Sequence, residues 1–507
     1  MSEKMKAEGT SGSEEVDRAE EDPPRKDGES GLTVETEVLS LRRTVTLLGA
    51  ISFNVGTMIG SGIFITPTSV LRNTGSVGLD LIVWSLGGVL SLLGSLTVSE
   101  LACRVPKHGG LYAYIREGFG SWLAFLLAYK EVLFDNPSGL AVKSLTFSRY
   151  FVKTFDLCGT PQTLVSLVAV TLIVTLCVLN ITSNRASVLV NIAFLCAKVL
   201  ALLIIICGGL YWLATGKVGT SDLSKSFEGT VQNPASIAIS FYFVMFSYSG
   251  WDGANNIVEE VKNPKRNVPL ASLLSVAIVT CIYVLTNVSY LAVMSRQEML
   301  SSDTVAMTWG EKVLGGGIAS LIIPICVMIS TSGSSNSGIF SGPRQIFSAA
   351  RDGNLPEVLS YVHVTRYTPI PATFLVVSIA ILFVCQSDIV TLIRFVGLAN
   401  WFFYFLCAAS LIIIRFRQRG KDEDIPFKQP LLVPVLFLLL SLYLTVMPQV
   451  GGVTKDLLYM CVVFALGLVL YVLFKKLKNR TNICDGPMIF LQQLLKIVPP
   501  PPYVASG

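Results

Sequence analysis

Long apolar segments alternate with short polar segments along most of the chain. A helix needs ~20 apolar residues to cross the hydrocarbon core of a bilayer, and the apolar segments reach that length. The pattern therefore predicts an all-α polytopic membrane protein with twelve transmembrane helices. Only the sequence CQSD divides the ninth from the tenth, so this pair could be miscounted. We number the predicted helices as spans 1 to 12, at residues 46–70, 78–103, 119–148, 162–181, 187–213, 234–257, 270–294, 318–341, 370–387, 389–414, 430–448 and 455–474.

The regions outside the spans are polar, and they set the predicted domain limits. Residues 1–43 are acidic, lack an apolar segment and are predicted to form a disordered cytosolic tail. A twelve-helix domain covers 44–474, and 475–507 form a C-terminal tail, in which GPMIFLQQLLKIVPPPP has the spacing of an amphipathic helix on the membrane surface. Lys and Arg gather in the loops that are internal if the N-terminus is internal, so both termini are predicted to be cytoplasmic.

Composition agrees with a protein embedded in lipid. The chain is 52% hydrophobic and 14% charged, whereas a soluble domain carries about 25% charged residues. The net charge of +5 comes mostly from helix ends, so it indicates the bilayer and not nucleic acid as a partner. The two histidines, His108 and His363, lie far apart without ligands at metal spacing. We therefore expect no metal, no cofactor and no enzymatic activity.

Two glycine-rich stretches interrupt the apolar pattern, NVGTMIGSGIFITP in span 1 and FSYSGWDGANN in span 6. Glycine lowers helix stability by roughly 0.5–1 kcal/mol relative to alanine, so both helices are predicted to unwind. Breaks five spans apart are typical of a 5+5 inverted repeat with a substrate site at the bilayer midplane. Freed N–H groups suit a carboxylate and freed carbonyls suit an ammonium, which together fit an amino acid. The alternative is that the small residues serve only close helix packing.

Cys158 is the only cysteine in a loop that is predicted to face the oxidising side of the membrane. On spacing alone it is either a free thiol or one half of an intermolecular disulfide. No N-x-S/T sequon falls in a predicted outer loop.

Several motifs together resemble a known family: VGTMIGSGIFITPTSVL, GGLYAYIREGFG, FSYSGWDGANNIVEEVKNPKRNVPLA, MLSSDTVAMTWGEKVLG and ARDGNLPEVLSYVH. They are similar to the light subunits of heteromeric amino acid transporters, the L-type family within the amino acid–polyamine–organocation superfamily. The resemblance implies a LeuT-like fold with helices 1 and 6 unwound, and amino acid exchange at the plasma membrane. It also implies a single-span glycoprotein heavy subunit, joined by a disulfide at the position that FDLCGTP and its Cys158 match.

The resemblance also implies roles for individual residues. Phe246 would close over bound substrate, Ser247 and Ser249 would offer carbonyls to its ammonium, and Asn400 and Trp401 would line the far wall. Without the resemblance, Phe246 and Trp401 are ordinary lipid-facing or core aromatics. The substrate carboxylate and part of the amino group would be held by the backbone of Met58, Ile59, Gly60, Ser61 and Gly62.

Charged residues inside spans are costly and suggest function. The resemblance places Lys198 where related symporters hold sodium; the alternative is a structural ion pair. Asp252 and Asp135 would favour cationic side chains, although Asp135 could instead pair with Lys130 or Lys143.

Glu100 and the Glu259–Glu260 pair, near the inner ends of their spans, are predicted to bind backbone or inner-loop arginines. The leading hypothesis is exchange of large neutral and cationic L-amino acids. The alternatives are a strictly neutral, sodium-independent exchanger and an amino acid sensor that does not transport.

Overall fold

Helices account for nearly all of the ordered secondary structure. The computed structural model describes residues 45–105, 110–155, 161–182, 184–215, 225–256, 261–315, 317, 321–351, 353, 355–366, 368–386, 388–419, 425, 427–450, 455–477 and 492–499. Cys158 lies outside these residues, and so do the Glu259–Glu260 pair and the predicted N-terminal tail up to residue 43.

The α-helices follow one another along the chain, with a π-helical turn at Glu131–Asp135 between α6 and α7. Two short strands are also present, β1 (Val362–His363) and β2 (Ile497–Val498). The helices are α1 (Leu47–Met58), α2 (Gly62–Ile65), α3 (Pro67–Thr74), α4 (Val77–Arg104), α5 (Leu111–Phe119), α6 (Ser121–Lys130), α7 (Asn136–Lys153), α8 (Gln162–Thr182), α9 (Asn184–Ala214), α10 (Pro234–Ser247), α11 (Gly253–Asn256), α12 (Pro264–Val293), α13 (Arg296–Ser301), α14 (Val305–Leu314), α15 (Ile322–Arg351), α16 (Ile370–Gln386), α17 (Ile389–Arg417), α18 (Leu432–Val446) and α19 (Lys455–Leu477).

Within the part of the chain that the structure describes, eight helices are long and apolar enough to cross a membrane. They are Leu47–Ile65, Val77–Arg104, Gln162–Thr182, Ala197–Ala214, Arg266–Val293, Ile389–Arg417, Leu432–Gln449 and Lys455–Leu473. Helices also occupy the other four predicted spans. The π turn interrupts span 3, spans 6 and 9 hold shorter apolar helices, and span 8 contains the polar run STSGSSNSG. The chain is a multi-pass membrane protein; twelve spans and the inverted repeat stay predictions.

Span 1 unwinds where its glycines are concentrated. Helix α1 ends at Met58, and Ile59 is extended at φ −72° and ψ 93°. The chain becomes helical again at Gly62 and continues through Thr66, which has helical dihedral angles, as far as Thr74. Both helical halves therefore face an opening at residues 59–61, as the sequence predicts.

Span 6 unwinds in the same way. Helix α10 ends at Ser247, and a turn at residues 248–252 leads to the short helix α11. Gly250 has φ 98°, a conformation that residues with a Cβ rarely adopt. The glycine in FSYSGWDG therefore permits this turn.

The described end of the C-terminal tail pairs with the connection between α15 and α16. Val362 lies opposite Val498 and His363 opposite Ile497 in an antiparallel register. Ile497 packs in a small apolar cluster with Tyr361 and Ile370. The sequence pattern does not predict this strand pair, because two residues are too few to show the alternation of a strand. The amphipathic helix predicted for the tail stays a prediction, since residues 478–491 lie outside the described ranges.

Candidate substrate site

The two helix breaks lie against each other. A Cβ atom placed on Gly62 would lie 2.4 Å from the Cα of Ser247, and one on Gly253 would lie 2.8 Å from the Oδ1 of Asn54. The hydroxyls of Thr66 and Ser247 are hydrogen-bonded at 2.8 Å. Close packing and helix unwinding therefore occur at the same place. The glycines agree with both interpretations, a substrate site and close packing of helices.

Tyr283 of α12 joins the ends of both broken helices. Its hydroxyl lies 2.8 Å from the carbonyl oxygen of Met58 and 2.9 Å from that of Ser247, so it can donate to either. The side chain is fully buried, and its ring packs edge-on against Trp84 and Tyr248. A sequence search for polar groups inside spans could have found Tyr283, but nothing in its own span marks it as the bridge.

Other side chains satisfy the backbone that unwinding exposes. Thr57 donates to the carbonyl of Asn54 at 2.8 Å and lies 3.2 Å from that of Gly250. The carbonyl of Trp251 accepts from Ser95 at 3.1 Å and from Asn54 at 3.4 Å. Unpaired backbone groups are not tolerated in lipid, so these contacts are what allows an irregular segment at this depth.

The predicted binding residues of span 1 lie at its break. Met58, Ile59, Ser61 and Gly62 are buried, and Gly60 is partly exposed. The Ser61 hydroxyl is 1% exposed and has no hydrogen-bond partner among the described residues. A buried polar group without a partner carries a desolvation penalty, which a bound polar ligand would relieve.

The predicted residues of span 6 differ in exposure. Ser247 is buried, Phe246 and Asp252 are half-buried, and Ser249 is exposed. Phe246 packs at the edge of the main apolar cluster, beside the break. Its side chain thus lies where a movable aromatic residue could cover the opening.

Asn400 and Trp401 on α17 have different neighbours. Asn400 accepts a hydrogen bond from the ammonium of Lys130. Trp401 is buried and packs edge-on against Tyr404, with ring centroids 5.5 Å apart, and Tyr404 packs in turn on Trp251 of the span 6 break. The contacts of Trp401 are those of a core aromatic. Its predicted place in the substrate wall remains a prediction.

The π turn in span 3 explains how Asp135 is neutralised. The sequence offers Lys130 and Lys143 as partners, neither at the i,i+4 spacing of an α-helix. In the π turn, hydrogen bonds run from i to i+5, as from Asn136 to the carbonyl of Glu131, so residues five apart become neighbours. Lys130 and Asp135 accordingly form an ion pair at 2.6 Å. Lys130, which the sequence analysis did not assign to the site, also contacts Asn400.

Lys198 reaches the last turn of α1. Its ammonium donates to the carbonyl of Gly56 at 2.6 Å, and its side chain is 8% exposed. Among the described residues no carboxylate forms an ion pair with Lys198. Its ammonium is bound by a backbone carbonyl instead. Those residues also contain no group of His, Cys, Asp and Glu that could hold a metal ion.

Glu100 forms a charged cluster at the predicted cytosolic end of span 2. It accepts from Arg104 on its own helix at 2.8 Å and from Arg415 on α17 at 2.8 Å. It also accepts from the backbone N–H of Gln429 at 3.1 Å. The prediction that Glu100 binds arginines and backbone is confirmed, and the cluster joins α4 to α17.

The fold and the site define a polytopic membrane protein in which two broken helices lie against each other. The chain belongs to the amino acid permease family, because a family model described as "Amino acid permease" matches residues 45–470. It is therefore a transporter and not an enzyme.

Relatives support the resemblance to the light-subunit group. The chain is 38% identical to the "b(0,+)-type amino acid transporter 1" of Mus musculus over 480 residues, which are 94% of this chain and 97% of the mouse protein. It is 40% identical to the "Cystine/glutamate transporter" of Homo sapiens over 409 residues, 80% of each chain. It is 38% identical to the "Large neutral amino acids transporter small subunit 2" of Mus musculus over 411 residues, 80% of this chain and 76% of that protein.

Proposed function

We propose that the chain exchanges large neutral and cationic L-amino acids across the plasma membrane by alternating access, with both termini in the cytoplasm. The observation that carries this proposal is the contact between two broken helices whose exposed backbone is held inside the protein. Facing half-helices are a recurrent way to build a substrate site at the bilayer midplane. The substrate carboxylate would bind the span 1 break, and its ammonium would bind carbonyls of spans 1 and 6, including those of Ser247 and Ser249.

The Tyr283 hydroxyl occupies part of the proposed binding site for the substrate ammonium. The Tyr283 hydroxyl already lies within hydrogen-bond distance of the carbonyl oxygens of Met58 and Ser247. Each carbonyl has a second lone pair, so an ammonium can bind beside the tyrosine. Phe246 would then cover the bound substrate from the edge of the apolar cluster.

An acidic residue at the span 6 break supports substrates that have cationic side chains. Lys130 compensates the charge of Asp135. The attraction for a cationic substrate therefore depends on Asp252. An ionised Asp252 carboxylate attracts Lys or Arg side chains, most strongly where the dielectric constant is low. The relatives are named for different substrates, so the resemblance does not choose between neutral and cationic amino acids.

Lys198 supports exchange without sodium. Its ammonium is tethered to the span 1 break by the hydrogen bond to Gly56. A fixed positive charge there would take the place of a bound cation, so uptake would need no sodium gradient.

Counterflow in proteoliposomes tests the proposal. Vesicles preloaded with L-leucine should accumulate labelled leucine and arginine equally well with and without sodium. Asp252→Asn should lower arginine uptake at least tenfold and leave leucine uptake within twofold, whereas Asp303→Asn, on an exposed outer loop, should change neither. Leucine flux without arginine flux would favour the strictly neutral exchanger. Binding without flux would identify a sensor.

We further propose a heavy subunit of the single-span glycoprotein type, linked through Cys158. Non-reducing gels of the co-expressed pair should show a high-mass band that disappears in Cys158→Ser. Cys207→Ser, which removes an exposed cysteine on α9, is the matched control and should keep the band. The linkage is rejected if the band persists without Cys158.

A further inference from the structure

A second lysine lies beside the span 1 break. Lys143 of α7 is half-buried in the middle of a predicted span, and its ammonium lies 3.4 Å from the carbonyl oxygen of Ser334 on α15. Ser334 also borders the break, because its hydroxyl lies 3.5 Å from the position of a Cβ on Gly60. One residue of α15 therefore contacts Lys143 and lies beside the unwound segment.

The ammonium of Lys143 has a positively charged neighbour and no paired anion among the described residues. The charge of Lys143 acts on Lys198, the other lysine of this region. In the described ranges, no carboxylate forms an ion pair with either lysine. An ammonium that is partly removed from water and has no paired anion is unfavourable, because part of its desolvation penalty is not compensated.

Two buried hydroxyls, one at the break and one on α15, also lack a partner among the described residues. Ser61 at the break and Ser330 on α15 are each 1% exposed, and neither hydroxyl has a hydrogen-bond partner among the described residues. Ser330 lies one turn from Ser334, whose hydroxyl donates to the Ser330 carbonyl at 3.0 Å. Gly338, one turn further on, also lies beside the ammonium, since a Cβ there would be in ordinary van der Waals contact with the Nζ of Lys143, at 3.8 Å.

We propose that Lys143 binds the α-carboxylate of the transported amino acid, as a substrate-binding residue in addition to the backbone of the break. This inference rests on the proposed function, because it needs an amino acid in the site. The ammonium would exchange its long contact with Ser334 for a charge-assisted hydrogen bond to the carboxylate. Since every α-amino acid has this group, Lys143 would contribute to affinity for neutral and cationic substrates alike.

Two ligands separate this role from a structural one. L-Leucine carries the carboxylate, and L-leucinamide has the same side chain and ammonium without that charge. Dissociation constants are measured by thermal-shift titration of the purified full-length protein in complex with its heavy subunit. Lys143→Met should weaken leucine binding at least tenfold and change leucinamide binding less than twofold. Lys143→Arg, which keeps the charge, should restore most of the leucine affinity.

Lys153→Met, at the end of the same helix, is the matched control and should bind both ligands as the wild type does. If Lys143→Met does not yield folded protein, Lys143→Gln removes the charge and keeps a donor, and the same criterion applies. Equal weakening of both ligands, or none, would overturn the role of Lys143 while leaving the proposed function intact. A wild type that binds neither ligand would overturn both.

Discussion

At the scale of single residues, the absence of a Cβ atom on Gly62 lets the two broken helices touch. The sequence indicated this glycine as a weak point of the helix, and the structure adds a second reason, the approach of Ser247. No pattern within span 1 could have predicted that approach, because the partner lies 185 positions later in the chain.

Gly62→Ala should therefore be strongly destabilising. Its Cβ would overlap the backbone of Ser247, which cannot rotate away as a side chain can, and overpacking costs typically 1–3 kcal/mol. We expect a lower thermal midpoint of unfolding in detergent. Gly139→Ala in α7 is the control, because a Cβ there meets nothing within 4 Å. Equal midpoints for both variants would contradict the packing that we describe.

Tyr283→Phe tests the bridge between the breaks. The substitution keeps the ring and its aromatic neighbours but removes the donor that faces the carbonyls of Met58 and Ser247. A buried group left without its partner costs about 1–3 kcal/mol in the free energy of unfolding, and we expect a correspondingly lower thermal midpoint. Tyr459→Phe removes a hydroxyl from an exposed tyrosine and should have no effect. An unchanged midpoint for Tyr283→Phe would show that the bridge contributes nothing to stability.

At the scale of elements, the breaks in spans 1 and 6 could be predicted from glycine content, but the π turn in span 3 could not. Its sequence, EVLFD, has ordinary helix formers, so local propensity gives no signal. The ion pair of Lys130 and Asp135 is visible only when their five-residue spacing is combined with that turn. Lys130 and Lys143 could nevertheless have been singled out from the sequence in the same way as Lys198, since all three are charged residues in apolar spans.

A double-mutant cycle measures the pairing in the π turn. Lys130→Met or Asp135→Asn alone leaves a buried charge or polar group without its partner, and breaking a buried pair costs about 3–5 kcal/mol. The double variant should be less destabilised than the sum of the single variants. Free energies of unfolding that add without coupling would mean that the two groups act independently.

The connection from α13 to α14 gives a pH-dependent contact. Lys312 donates to Glu298 at 2.7 Å, and this hydrogen bond lowers the pKa of Glu298 from its usual 4.5. A lowered pKa in the folded state means that the contact stabilises the protein above pH 4.5 and is lost as the pH falls through the lowered pKa. The wild type should therefore exceed Glu298→Gln in midpoint near neutral pH by a small margin, since both side chains are largely exposed. The difference should vanish in acid, and a constant difference would contradict the assignment.

At the scale of the whole molecule, hydrophobic patterning predicted the class of protein, because lipid imposes length and composition on every crossing helix. The arrangement of those helices depends on long-range contacts that leave little trace in the sequence. The Glu100 cluster, which joins α4 to α17, and the cluster of Trp251, Trp401 and Tyr404 are examples. The sequence could thus name candidate site residues, but not which of them share a neighbour.

The pairing of β2 with β1 has a practical consequence for labelling. The backbone of Val364 donates to the carbonyl of Lys496, so the last described residues are fixed to the connection before α16. A fluorophore fused directly after residue 499 would report the position of that connection relative to the helices and would not tumble freely. Shortening the chain before Lys496 would instead uncover the apolar surfaces of Tyr361 and Ile370.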